Sequence, residues 1–247
     1  MTRTPAPAGS TPAGPDPAEV PTARAQLTTL GPLAQLRAGR LPRRLLQLGG
    51  GLAVYGVSLA MLVVSGLGSA PWDVLHLGVA LHTGLSLGTV IVVVSVAVLL
   101  LWIPLRQRPG LGTVANALLV GVGVDLGLAL LPDQPSLVLR VVLLVAGVLL
   151  NGAATALYIG AQLGPGPRDG LMTGLARRTG RSVRLVRTVL EVGVVLVGWV
   201  LGGPVGVGTV VYALAIGPVT QAVLPWVVVA LPATAAGVTP RGAASRP

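Results

Sequence analysis

Six stretches of this chain, at about 45–65, 86–105, 111–131, 137–160, 183–202 and 208–230, are apolar over a length that can cross a bilayer. About 20 helical residues, rising roughly 1.5 Å each, cover about 30 Å of hydrocarbon. Inside that layer every backbone N–H and C=O must find a partner within the protein, so only helices and closed barrels span it. Long apolar runs without period-two alternation select the helix. The chain reads as an all-α polytopic membrane protein with six transmembrane helices. Composition agrees: 53% of the residues are hydrophobic, only 10% are charged, and the mean hydropathy is +0.83. A water-soluble domain could not cover that much apolar surface.

Two shorter segments, 71–82 and 167–178, each follow a Gly/Pro break. A 12-residue helix reaches only about 18 Å and cannot cross alone. Each is expected to lie in the interface or to dip in as a re-entrant half-helix. The 17 basic residues, all arginine, set the orientation. Arg24, Arg37, Arg40, Arg43 and Arg44 precede the first span and place the N-terminus in the cytoplasm. With six crossings, RQRPG (106–110), the stretch from Arg168 to Arg187 and the C-terminal tail are also cytoplasmic, while 66–85, 132–136 and 203–207 contain no arginine. Arg140, near the outer end of the fourth span, is the one dissenter. Because the arginines sit at the ends of apolar segments, the net charge of +10 reads as topology in the cytoplasmic membrane and not as a nucleic-acid surface.

Pairing residues 51–125 with 147–221 without gaps gives 26 identities in 75 positions, an internal repeat with an offset of 96. Each copy holds three crossings, an odd number, so the second copy should enter the membrane upside down. The expected organisation is a disordered cytoplasmic tail (1–44), a first repeat (45–132), an inverted second repeat (137–230) and a disordered cytoplasmic tail (231–247). Leu81, His82, Leu85, Gly88 and Ile91 become Arg177, Arg178, Arg181, Arg184 and Arg187 in the second copy, which holds that loop in the cytoplasm. Trp72 becomes Arg168 on the same logic, an interfacial aromatic outside and a cation inside.

The stretches GLGSAPWDVLHLGVALHTGLSLGT (66–89), RPGLGTVANALLVGVGVDL (108–126), LGPGPRDGLM (163–172) and GGPVGVGTVVYALAIGPVTQ (202–221) resemble the YczE/YitT-type bacterial membrane proteins. The resemblance runs from about residue 45 to 225 and implies a polytopic inner-membrane protein. It carries no agreed substrate or catalytic residue.

Candidate site residues come from the polar groups inside the spans. Asp73 and Asp169 each lie two residues after the proline that opens a short helix. There a carboxylate either caps the helix and meets its positive end, or binds a cation or proton as a pair of half-helix starts approaches the midplane. Asp125 shares a face with Ala117 and Gly121 and is matched by Gln221 in the copy, which suits either an ion site or a buried hydrogen bond. Arg187 and Glu191, spaced i,i+4, form an ion pair or contact a substrate. Asn116 and Asn151 cap or cross-link helices, with a pathway-lining role open for both. His76 and His82 read as interfacial, and Trp72, Trp102, Trp199 and Trp226 as belt anchors. The GLGT and GVGT turns (110–113 and 206–209) lack the lysine and preceding strand of a phosphate loop.

No cysteine is present, so disulfides and thiolate chemistry are excluded. Two histidines suggest no metal cage, and no cofactor or catalytic constellation is expected. Asp73 and Asp169, expected on opposite membrane sides, argue against an aspartyl dyad. The leading expectation is a small-molecule or ion transporter or exporter working by alternating access between the inverted repeats. The alternative is a non-transporting scaffold or accessory protein whose basic loop, Arg168 to Arg187, docks a cytoplasmic protein or anionic lipid. A homo-oligomer is compatible with either.

Overall fold

A computed structural model describes residues 31–132 and 136–231. These residues form nine helices and no strand: α1 (Pro32–Arg37), α2 (Leu41–Ser65), α3 (Pro71–Thr83), α4 (Leu87–Trp102), α5 (Leu111–Leu130), α6 (Leu137–Gly160), α7 (Pro167–Thr179), α8 (Val183–Val200) and α9 (Val207–Val227). Four of them, α2, α5, α6 and α9, are long and apolar enough to cross a membrane. The pair α3–α4, bent by 113°, brings the number to five if it acts as one span. The expectation of six crossings is therefore met only in this coarser form. α4 has 16 residues, about 24 Å of helix, and the 18-residue α8 carries Arg184, Arg187 and Glu191.

Most of the two expected disordered tails, 1–44 and 231–247, lies outside the described residues, but 32–37 and 41–44 are helical. Arg44, expected as a topology marker, is fully buried. Its guanidinium donates to Ala161 O (2.8 Å), Gln162 O (2.7 Å) and Gln35 O (2.5 Å). A buried cation with each face occupied by backbone carbonyls ties α1, the start of α2 and the chain after α6 into one joint. Arg140 has a similar use: it donates to Ser65 O (2.6 Å) and Gly66 O (2.9 Å), the free carbonyls at the end of α2. Its place outside the arginine pattern has this local cause.

α2 and α6 pack along one another at the centre, α5 flanks α2, and α9 flanks α6. Lipid offers helices no net hydrophobic drive to associate, so close backbone approach has to supply the contact. Gly56 and Gly123 provide it between α2 and α5, where a Cβ on Gly56 would lie 2.6 Å from Gly123 Cα. Leu52, Leu59, Val120, Val124 and Val148 fill the space around them.

Contacts outside this centre come in pairs separated by the repeat offset. Gly112 N donates to Leu163 O and Gly208 N to Leu67 O, both at 2.7 Å. Gly68 and Gly164 have φ of +119° and +117° and let the chain before each short helix run against the start of the opposite long helix. α3 then packs on α8, and α7 on α4.

One pair is not matched. α4 packs closely on α5, with Gly121 so near Gly88 that a Cβ on it would stand 2.4 Å from Gly88 O. Among the described residues α8 forms no comparable packing with α9, and a Cβ on Gly217, the counterpart of Gly121, would meet nothing within 4 Å. Gly121→Ala is expected to destabilise the fold by about 1–3 kcal/mol through overpacking. Gly217→Ala should be close to neutral, the gain in helix propensity of up to about 1 kcal/mol being set against the restriction that Pro218 places on the preceding residue. Thermal unfolding of the two variants in detergent compares them directly.

Candidate functional site

Both short helices point their first turns into the body of the protein. Pro71, Trp72, Asp73 and Val74 of α3 are buried, as are Pro167, Gly170 and Leu171 of α7. The two heads touch: the Arg168 guanidinium stacks on the Trp72 ring, 5.1 Å from its centroid. Trp72 and Arg168 were expected at opposite membrane faces. A cation–π contact between them, favourable in desolvated surroundings, holds them together instead. The same contact brings the Asp73 and Asp169 helix starts into one region, as in the alternative in which the two half-helix starts approach each other.

Beside this contact lies a cavity of about 190 Å³. Tyr55, Tyr158 and Tyr212, the only tyrosines of the chain, line it together with Asn116, Arg168, Asp169, Arg187 and Gln221. Four of the candidate residues, Asn116, Asp169, Arg187 and Gln221, are thus brought together. Asp73, Asp125 and Glu191 are not among its lining.

The cavity's polar groups are held in different ways. Asp169 accepts a hydrogen bond from the Tyr158 hydroxyl through Oδ2, and no side-chain bond caps α7. Tyr212 donates to Asn151 Oδ1 and Asn151 Nδ2 donates to Ser58 Oγ, both at 2.8 Å, which cross-links α9, α6 and α2. Arg187 Nε donates to Glu191 Oε1 at 2.8 Å. Among the described residues Arg168 has no hydrogen-bond or ion-pair partner, only the face of Trp72. A guanidinium in that position presents its donors to whatever enters.

Asp73 does not cap α3 either. It shares a 3.0 Å hydrogen bond between Oδ1 and His76 Nδ1, and both side chains are fully buried. His76, expected at the interface, is an interior residue because one turn of helix places it against Asp73. Asp73 Oδ2, His76 Nε2 and Trp72 Nε1 have no hydrogen-bond partner among the described residues. Trp102, expected as a belt anchor, is also buried: its Nε1 donates to Pro167 O at 3.0 Å, and its ring fills the space over Gly170. Trp199 and Trp226 are exposed.

Asp125 has a structural attachment. Its Oδ1 accepts from Gly88 N (2.8 Å) and its Oδ2 from Ser86 Oγ (2.7 Å), so α5 caps the first turn of α4. No group of three or more metal-ligating side chains occurs among the described residues.

Residues 42–225 match a family of unknown function, DUF6198. The chain belongs to this family. Relatives of this family member include an uncharacterised protein of Haemophilus influenzae, 42% identical over 69% of this chain and 78% of that one. The uncharacterised membrane protein YczE of Bacillus subtilis is 31% identical, covering 70% and 81% of the two chains. Its uncharacterised protein YyaS is 28% identical, covering 64% and 81%. This DUF6198 member is thus a YczE-type membrane protein, as the motif resemblance implied. No solved structure matches it.

Sequence reasoning missed the tyrosines and His76. The repeat held a signal for the former: Tyr55 aligns with Asn151 and Tyr212 with Asn116, so a polar group recurs at equivalent positions inside apolar spans. For the buried Asp73–His76 pair, removing one partner by His76→Leu should destabilise by about 3 kcal/mol, and replacing both (Asp73→Leu with His76→Leu) should restore much of it. A double-mutant cycle on thermal unfolding measures that coupling.

Proposed function

We propose that this protein is a carrier of small anionic solutes across the cytoplasmic membrane, built from two inverted three-helix units. The observation that carries the reading is Arg168, a cavity-lining guanidinium with no anionic partner in an apolar protein. An unpaired cation at membrane depth is costly, and binding an anion removes that cost. The neighbouring Asp169, held by Tyr158, and the side-chain amides of Asn116 and Gln221 supply orientation around the charge. The α7 end of the cavity faces the cytoplasm on the arginine pattern, with both termini on that side.

The inverted arrangement is supported by the matched hydrogen bonds at Gly112 and Gly208 and by the exchanged packing of α3 on α8 and α7 on α4. On this reading α4 and α8 complete the six crossings as short helices, each joined to a half-helix that supplies the missing depth. Transport follows when one unit rocks against the other about the Trp72–Arg168 contact, exposing the cavity to each side in turn.

The scaffold reading has less support. Arg177 donates to Gln107 Oε1 (2.6 Å) and Arg178 to Pro104 O (2.7 Å), so two of the loop's arginines are used internally. Arg181 and Arg184 remain exposed and face the anionic leaflet on this topology.

Proteoliposome uptake with a panel of small organic acids and inorganic phosphate tests the carrier. Wild type should accumulate at least one of them, and Arg168→Gln should reduce that flux more than tenfold, the equivalent of about 1.4 kcal/mol or more of lost anion contact. Flux of an anion indifferent to Arg168→Gln would remove the basis of the reading. The cysteine-free chain also allows a topology check: Leu81→Cys and Arg178→Cys should react with an impermeant thiol reagent from opposite sides.

A further inference from the structure

We infer that the ligand of the cavity is the phosphate headgroup of an amphiphile, admitted sideways from the inner leaflet through the seam between α8 and α9. This rests on the carrier reading above and names its substrate class. Four observations converge on it.

The first is the seam itself. Arg187 of α8 and Tyr212, Gly217 and Gln221 of α9 all line the cavity, yet α8 and α9 do not pack together as α4 and α5 do. Among the described residues nothing comparable to the α4–α5 contact closes the cavity between them.

The second is that this opening is written into the sequence. On the α4–α5 side the seam is shut by Gly88 and Gly121 and latched by Asp125 on Ser86 and Gly88. A Cβ on Gly88 would lie 2.1 Å from Gly121 O, so no side chain fits there. The α8 counterpart of Gly88 is Arg184, and the counterpart of Asp125 is the neutral Gln221. α8 cannot close on α9 in the way α4 closes on α5. α9 also carries Pro218 where α5 has Val122, and an interior proline removes a ladder bond and bends a helix. Rocking of the two units can open and shut the ends of the cavity without closing this side window.

The third is the chemistry across the window. Outside it, Val189, Val192 and Leu196 of α8 and Val210, Val211 and Leu214 of α9 are exposed. At its rim Arg187 is half-exposed and paired with Glu191. Inside stands the unpaired Arg168. An apolar exterior leading to arginines matches a molecule with a tail and an anionic head, and Arg recognises phosphate oxygens through paired N–H donors.

The fourth is size. Pockets that hold a drug-sized ligand run to about 300–1,000 Å³. At about 190 Å³ the cavity takes a headgroup and leaves acyl chains in the bilayer.

The test uses the full chain in proteoliposomes containing fluorescent phosphatidylglycerol labelled on an acyl chain, with dithionite added outside, and native mass spectrometry of lipid retained after purification. Wild type should let bleaching pass beyond the outer-leaflet share and should retain phosphatidylglycerol. Arg168→Gln should abolish both. Gly217→Leu, placing a side chain in the open seam, should abolish both while the protein stays monodisperse; Leu214→Trp, about one turn away on the exposed side of α9, obstructs the same window if that variant fails to fold. Absence of both lipid movement and Arg168-dependent lipid retention would overturn the inference. If phosphate flux from the uptake panel is lost in Arg168→Gln but unchanged in Gly217→Leu, the ligand is a soluble anion, which overturns the lateral route and leaves the carrier standing. If lipid moves but phosphate does not, the carrier reading narrows to amphiphiles and the inference holds.

Discussion

A helix that stops inside a membrane protein leaves free N–H groups and a positive dipole end in surroundings that cannot hydrate them. α3 and α7 both stop this way, and both are turned so that these ends meet. The proline at each first position removes one of the free donors, and the acidic residue two positions later brings negative charge into the first turn. Neither carboxylate caps its own helix start. Asp73 is bound to His76 one turn along α3, and Asp169 to the Tyr158 hydroxyl of α6, so only the α7 start is fastened through its carboxylate to another helix. Between them Trp72 covers one face of Arg168. The charge that the cavity presents, and the Trp72 face that covers it, come from those two blunt helix ends meeting there.

The two halves share a scaffold and differ in how they close it. Long helices cross at matched glycines, and the turns before α5 and α9 are tied to the opposite half by equivalent bonds. The differences fall at contact points. Trp102 bridges α4 to α7, and Gly198, its counterpart, lets α8 lie against α3 so closely that a Cβ would stand 2.4 Å from Leu75 N. A large side chain over Gly170 on one side and a bare backbone beside Val74 on the other achieve comparable closure with different spacing. Since interfaces of this density do not deform continuously, each half has its own rest geometry. The pair of units is not free to exchange shapes as equals.

Much of this fold was legible in the sequence because lipid imposes a simple length and hydropathy code. The ends of α5, α6 and α9 fall within a few residues of the apolar runs, and the short helices start at the prolines that mark them. The span count was less legible, since α4 has only 16 residues, α3 and α4 meet at 113°, and the 18-residue α8 carries Arg184, Arg187 and Glu191. Site residues divided on similar lines. The grouping of Asn116, Asp169, Arg187 and Gln221 follows from their places on inward faces. Asp125 reads as equally inward, but its carboxylate is taken up by Ser86 and Gly88, a contact that needs the glycine approach of α4. Trp72, Trp102 and His76 misled because amphipathic side chains are common at interfaces. Their burial depends on partners distant in sequence, Arg168 and Pro167, or on a local pairing that only desolvation makes important.

The replacement of Gly88 by Arg184 joins the two themes. Read as topology, it adds a positive charge that holds the second loop at the cytoplasmic face. Read as packing, it removes the one residue type that permits close approach, and with it the seal between the last two helices. A single substitution of this kind cannot orient the second copy without also opening it. On the proposed topology, inversion by arginine and an unsealed inner side are therefore one physical event. On the same proposed topology Arg168 belongs to that charged segment, so the charge that would orient the second copy also supplies the guanidinium that lines the cavity.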